Sequence, residues 1–229
     1  MISFCNITKV YQKGTKPIVA LSNVSFTVEP GEFVSVVGRS GAGKTTLLKL
    51  FLAEEKPSSG NIVFENQDVH QIKSHHLPNF RRDIGVVFQD YKLLSSKTTY
   101  ENIAYVLEVM GTSDADIAND VARVLDLVGL TDRAQSFPEE LSGGEKQRAA
   151  IARALVHQPK VILADEPTGN LDPYNTKDII SLLIKINEMG TTVILATHDQ
   201  EVINSLRKRV ITLEEGKVIR DEEGGRFAL

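Results

Sequence analysis

Gly38-Arg39-Ser40-Gly41-Ala42-Gly43-Lys44-Thr45 is a complete G-x-x-x-x-G-K-[ST] pattern, and its flanks decide how it is read. A short apolar run, Phe33 to Val37, precedes it, and Thr46-Leu47-Leu48-Lys49-Leu50-Phe51-Leu52 follows. The stretch therefore lies where a buried strand turns into a buried helix, the context in which this pattern forms a phosphate-binding loop. Glycines let the backbone curl so that successive N–H groups point at phosphate oxygens, and the new helix adds roughly +0.5 of a charge at its N-terminus. Lys44 then reaches the outer phosphates and Thr45 offers its hydroxyl to Mg²⁺. The nucleotide-contacting residues expected here are Gly38, Arg39, Ser40, Gly41, Ala42, Gly43, Lys44, Thr45 and Thr46.

Two further stretches belong with the loop. Asp165 follows the apolar run Val161-Ile162-Leu163-Ala164, and a carboxylate at the end of a neighbouring strand is what a metal-bound triphosphate requires. Glu166 comes next, where a side chain can orient or deprotonate a water in line with the γ-phosphate. Leu141-Ser142-Gly143-Gly144-Glu145 opens a strongly helical run, Lys146 to Val156, that Pro159 ends. Two glycines at a helix start make a second anion site, which one nucleotide can use together with the first only if two chains meet.

The rest of the pattern supplies the frame. Ile2 to Val10, with Tyr11 ending it, and Leu21 to Val28 alternate as antiparallel strands around a Lys13-Gly14-Thr15-Lys16-Pro17 turn; Asn61 to Phe64 and Ile84 to Phe88 are further strands. From Asp90 to Gln158 the periodicity is helical, with Ser113 as an N-cap and Ile117, Val121, Val124, Leu125 and Val128 on one face before Gly129. Asp172-Pro173 opens a helix carrying Ile179, Leu182, Leu183 and Ile186 and ending near Gly190. Thr192 to Ala196 is a strand, Arg209 to Leu213 and Lys217 to Arg220 form a hairpin, and the tail Asp221 to Leu229 is expected to fray. Apolar strands separated by helices imply an α/β fold with a largely parallel sheet, an N-terminal antiparallel β subdomain and a helical insertion. The expected division is a core with the β subdomain at 1–89 and 159–229, and a helical subdomain at 90–158.

Composition narrows the function class. The 229 residues suffice for one unit with lobes. A net charge of −4 argues against a nucleic-acid-binding surface covering the molecule. No apolar stretch approaches a spanning helix, no signal pattern opens the chain, and the single cysteine, Cys5, fits a reducing compartment, so the expected location is cytoplasmic. His75-His76 has no second ligand cluster to make a metal site.

The phosphate loop, Asp165-Glu166 and Leu141 to Glu145, in this order and spacing, resemble the motifs of ABC-type ATPases over almost the whole chain. That resemblance implies ATP and Mg²⁺ as ligands and ATP hydrolysis as the activity. Gln89 matches the family's glutamine that reaches Mg²⁺ and the attacking water, His198 the histidine that contacts the γ-phosphate, Asn170-Leu171-Asp172 occupies the family's D-loop position, and Tyr11 matches the aromatic that stacks on adenine. Thr45, Gln89 and Asp165 are then the metal-facing residues, Lys44, Gln89, Glu166 and His198 the catalytic ones. Ser142, Gly143 and Gly144 serve the ATP of a second chain in a homodimer formed on ATP binding.

Asp165 to Asp172 is similar to lipoprotein-release, macrolide-export-type and cell-division cassettes. Phe88 to Leu94, Lys97 to Ala104, Ser136-Phe137-Pro138 and Leu206 to Val210 resemble the cell-division group. The resemblance implies an FtsX-like integral membrane partner, met through Tyr91, Leu93 and Leu94, a place on the cytoplasmic face of the cell membrane, and control of cell-wall hydrolysis during division. A lipoprotein-release or export ATPase, and a soluble ABC ATPase or scaffold, are the other readings.

Overall fold

The computed structural model describes residues 1–14 and 16–225. Its first part runs β1 (Ile2–Lys13), β2 (Lys16–Val28), β3 (Phe33–Val37), α1 (Lys44–Phe51), β4 (Ser59–Phe64), β5 (Gln67–Asp68), α2 (Leu77–Arg81) and β6 (Ile84–Phe88). The helices α3 (Thr99–Met110), α4 (Asp114–Leu127) and α5 (Gly143–Leu155) follow. Then come β7 (Val161–Asp165), α6 (Pro173–Glu188), β8 (Thr192–Thr197), α7 (Gln200–Leu206), β9 (Arg209–Glu214) and β10 (Lys217–Glu222).

Two sheets result. One is antiparallel in the order β2-β1-β4-β5; the other has the order β10-β9-β3-β8-β7-β6 and is parallel except for β10. Side chains in a strand alternate between faces, and this period sorts the parallel strands between two cores. Phe33 and Val37 of β3, Ile162 and Ala164 of β7, and Val193 and Leu195 of β8 join the core formed with α3 to α7. Their neighbours Val34, Val36, Leu163, Ile194 and Ala196 join the other, with α1 and the antiparallel sheet. Near-continuous apolar runs thus reflect burial on both faces, at about 1.5–3 kcal/mol for each large side chain.

Several boundaries differ from the sequence reading. Tyr11 does not end β1: it pairs with Ile18, and Val10 with Val19, because cross-strand apolar pairs extend the hairpin past its buried part. The turn expected at 13–17 includes Thr15, outside the described residues. Asp221 and Glu222 do not fray. They belong to β10, where both Asp221 carboxylate oxygens accept from Arg209 at 2.7 Å while Arg209 also reaches Glu32 at 2.9 Å. The expected fraying of 226–229 lies outside the described residues. Residues 89–98 are not helical; Tyr91 and Lys92 both take positive φ (60° and 51°), and the first helix begins only at Thr99, behind a Thr98–Glu101 capping box. The Ser113 cap and the buried stripe of α4 form as the spacing predicts, as does the Asp172 cap of α6. Cys5 is a half-buried free thiol on β1.

Candidate nucleotide site

The parallel register builds the site. Val37 pairs with Thr197, Ala196 with Asp165, and Asp165 with Phe88, so Gly38, His198, Glu166 and Gln89 leave the carboxyl ends of four adjacent strands side by side. Ligands of open α/β sheets bind in the crevice outside those ends. The loop from Gly38 to Gly43 then turns into α1. Gly43 sits at φ 108°, and a Cβ there would lie 2.7 Å from the Ala20 carbonyl oxygen, so the helix must start on glycine. No side chain caps α1, which leaves its first N–H groups to a ligand.

Within this corner the predicted residues touch. Lys44 is buried, and its Nζ donates to the Gly38 carbonyl at 2.8 Å and stands 3.3 Å from Glu166 Oε1. The same carboxylate oxygen lies 2.8 Å from His198 Nδ1, while Oε2 accepts from the His198 backbone N–H at 3.3 Å. Glu166 thus bridges Lys44 and His198. Its own backbone is left-handed, φ 50°, a conformation that costs a non-glycine residue about 1–3 kcal/mol and is tied down by its N–H bond to the Ala196 carbonyl at 2.8 Å. Thr45 Oγ1 donates to Asp165 Oδ2 at 3.0 Å. Burial raises the pKa of Asp165 and the Thr45 hydroxyl partly offsets this, with Glu166 adding to the rise.

A hydroxyl and a carboxylate are hard oxygen donors suited to Mg²⁺, which usually takes one or two protein groups together with phosphate oxygens. No cluster of three or more His, Cys, Asp or Glu side chains able to hold a metal ion occurs among the described residues. The pair Thr45 and Asp165 fits the ion; Gln89 lies beside them with its amide nitrogen held by Asn170 Oδ1 at 3.3 Å.

The other expected contacts lie around this corner or apart from it. Arg39, Ser40 and Gly41 are exposed, Ala42 is buried and Thr46 half-buried. Burial holds the Tyr11 hydroxyl above its ordinary pKa, with nearby Glu55 adding to the rise and Thr46 opposing it, and Lys9 Nζ lies 4.9 Å from its ring centroid. Ser142 is the N-cap of α5, and among the described residues neither it nor Gly143 or Gly144 is hydrogen-bonded or ion-paired to the phosphate loop; Gly143 faces Tyr91 and Leu171 instead. Leu94 is exposed at 38%, whereas Leu93 packs on the core.

Asn102 and Arg153, near the site, escaped the sequence reading as functional candidates, and the hold of Asn170 on Gln89 was not part of it. Asn102, fully buried, accepts from the Leu94 N–H at 2.7 Å and donates to the carbonyls of Leu94, Lys97 and Thr98, so it shapes the loop that presents Leu94. Arg153 of α5 donates to the Tyr91 carbonyl at 2.9 Å and to that of Lys92, holding the two left-handed residues. Asn170 holds Gln89. The Thr98-x-x-Glu101 box would have located Asn102 on the first turns of a helix; Arg153, one of two arginines in α5, carries no such signal.

The family described as ABC transporter matches residues 21–169, well over half of the chain. The chain belongs to that family. The cassette is 49% identical over 227 residues to the cell division ATP-binding protein FtsE of Bacillus subtilis, covering 99% of this chain and 98% of that one. It is 46% identical to the protein of the same name from Mycobacterium tuberculosis, over 100% and 99%. Among solved structures, the dimeric bacterial ABC transporter cassette MJ0796 superposes with a TM-score of 0.89 at 39% identity, over 99% of this chain and all of that one. The same cassette in a dimeric post-hydrolysis state bound to ADP and Pi gives 0.88 at 38%. The α/β cassette with its mixed sheet and antiparallel β subdomain is therefore the family fold.

Proposed function

We propose that this cassette hydrolyses ATP with Mg²⁺ and that paired cassettes pass the resulting opening and closing to an FtsX-like integral membrane protein during cell division. The observation that supports this best is the contact of Glu166 with both Lys44 and His198 beside the uncapped start of α1. In this reading the N–H groups from Gly38 to Thr46 cradle the phosphates, Tyr11 carries the base, and Thr45 and Asp165 hold the ion, with Gln89 completing the set. The ion screens phosphate charge. Lys44 and His198 stabilise charge developing on the transferring phosphoryl group, and Glu166 orients the attacking water. Ser142, Gly143 and Gly144 of each chain complete the site of the other, in a two-fold arrangement where each surface meets its counterpart.

Glu166→Gln keeps the shape of the side chain and removes its basicity. ATP binding stays within about twofold and turnover falls roughly 10²–10³-fold, so an ATP-bound dimer accumulates in size-exclusion chromatography. Turnover near the parent rate would remove Glu166 from this role.

No helix among the described residues is long and apolar enough to cross a membrane, so an association with the cytoplasmic face runs through the partner. Exposed Leu94, beside the loop that leaves Gln89, supports docking there with Tyr91 and Leu93, and the expected division at 89/90 and 158/159 would make the helical part the partner-facing lobe. Leu94→Asp is expected to spare ATP binding and to abolish co-purification with the membrane protein; retained association would exclude this docking site. A second reading, an import cassette, draws on 46% identity over 97% of this chain to the methionine import ATP-binding protein MetN 1 of Yersinia pestis, of which the match spans 65%. The integral protein captured with wild type decides between the two.

A further inference from the structure

Gln89 is gripped at two points by one side chain. Asn170 Nδ2 donates to the Gln89 backbone carbonyl at 3.2 Å, and Asn170 Oδ1 accepts from Gln89 Nε2 at 3.3 Å. The preceding residue is cut to fit: a Cβ on Gly169 would lie 2.7 Å from Gln89 Nε2 and 3.0 Å from its Cδ, so the glutamine side chain rests on the glycine itself. Asn170 is exposed and lies in the loop after β7, between Gly169 and Leu171, whose side chain approaches Gly143.

The polarity of this clasp follows from one group. A backbone carbonyl can only accept, so the end of the Asn170 amide that meets it must be the NH₂. That leaves Asn170 Oδ1 on the other side, where it can only accept, and so the end of Gln89 that meets it must be Nε2. Gln89 Oε1 is then the end left free of the clasp. A divalent cation takes an oxygen and rejects an amide nitrogen that carries two protons, and a water attacking phosphorus can likewise donate to that oxygen.

We propose that Asn170 is a positioning residue that fixes the Gln89 amide with its oxygen, and not its nitrogen, available to the metal and the water. The inference rests on Gln89 serving the metal as set out above. With alanine at 170 the amide rotates freely, and half of its orientations present the wrong end. Phe88 ends its strand paired with Asp165 and Gln89 follows it directly, so the correction needed is one of rotation about the amide and not of travel.

The test uses the whole chain and two readouts, one of them independent of any metal. Asn170→Ala, Gln89→Ala and the double variant are compared for Mn²⁺ affinity in complex with a non-hydrolysable ATP analogue, followed by electron paramagnetic resonance. Loss of a partner that orients a metal ligand typically weakens binding 10–100-fold, and about 10-fold is expected for Asn170→Ala. The double variant should bind Mn²⁺ no more weakly than Gln89→Ala, because both act on one group. In metal-free protein labelled with ¹⁵N-glutamine, the Gln89 side-chain amide, assigned by its disappearance in Gln89→Ala, should exchange with solvent faster once Asn170 is alanine. Gly169→Ala, which pushes on Gln89 without touching Asn170, should reproduce both effects.

Unchanged Mn²⁺ affinity and unchanged amide exchange in Asn170→Ala, with Gln89→Ala still weakened, overturn the positioning role alone. Unchanged affinity in Gln89→Ala itself overturns the assignment of Gln89 to the metal and this inference with it.

Discussion

Two helices in this molecule begin on glycines, and they begin differently. At α1 no side chain caps the helix, no acid stands in the first turn, and Gly43 holds a left-handed turn. Lys44 meanwhile folds back on the loop carbonyls and Glu166. At α5, Ser142 accepts the Glu145 N–H, and Glu145 in turn accepts the Ser142 N–H at 2.8 Å while Arg133 braces it at 3.0 Å. The first start leaves its donors unmet and has a cation beside them, so it is complete as a phosphate site only when filled. The second satisfies two of its orphan donors unaided and is complete as a helix. A carboxylate also stands beside the Ser142 hydroxyl, 2.8 Å away, and would oppose an arriving anion unless Arg133 offsets it. Under the proposed function this is a division of labour, in which α1 binds within one chain and α5 adds strength only to phosphate already held elsewhere.

The largest effect should fall on the first start. Lys44→Ala removes a charged donor from a buried corner, and turnover is expected to drop roughly 10²–10³-fold with a matching loss of nucleotide affinity, read by titration of a fluorescent ATP analogue. Ser142→Ala comes next and must behave otherwise. It removes an N-cap, at about 1 kcal/mol of stability in urea denaturation, and leaves nucleotide binding by the single chain within twofold. ATP-driven dimerisation in sedimentation should be lost. A Ser142→Ala chain that binds nucleotide as poorly as Lys44→Ala would break the contrast, because the two starts would then serve one nucleotide in one chain.

How much of this contrast could be read beforehand follows from the range over which each interaction acts. The phosphate loop, the Asp165-Glu166 pair and the Ser142 start are local patterns, and the apolar strands beside them fix their neighbours, so the α/β frame and its corner were legible. The Glu166 contacts with Lys44 and His198 needed only the parallel register to bring three strand ends together. The contacts of Asn170, Arg153 and Asn102 were not legible in the same way: each satisfies backbone groups of an irregular loop, at 89 to 98, whose course depends on two consecutive left-handed residues, Tyr91 and Lys92, that no glycine announces. The short helices α2 and α7 escaped for a related reason. At five and seven residues they show too few turns for a periodic stripe, and tertiary packing of Phe80, Val202 and Ile203 holds them.

The smallest effects should carry opposite signs at the two starts. Glu145 sits below its ordinary value of 4.5, chiefly because the Ser142 backbone N–H and then its hydroxyl favour the charged form, with Arg133 adding to this. Its folded value being the lower one, its contribution is present above pH 4.5 and is lost as pH falls through the depressed value. Asp165 sits above its ordinary 3.8, so its ionised form costs the fold stability at neutral pH, a cost that fades as pH falls through the raised value. Glu145→Gln should therefore lower the unfolding free energy at pH 7 and Asp165→Asn should raise it, both differences shrinking toward pH 3, as chemical denaturation across that range will read. Under the proposed function a cation bound at Asp165 would offset that cost, whereas the Glu145 cap serves the helix alone. Equal signs at the two positions would mean that both starts are built for stability alone.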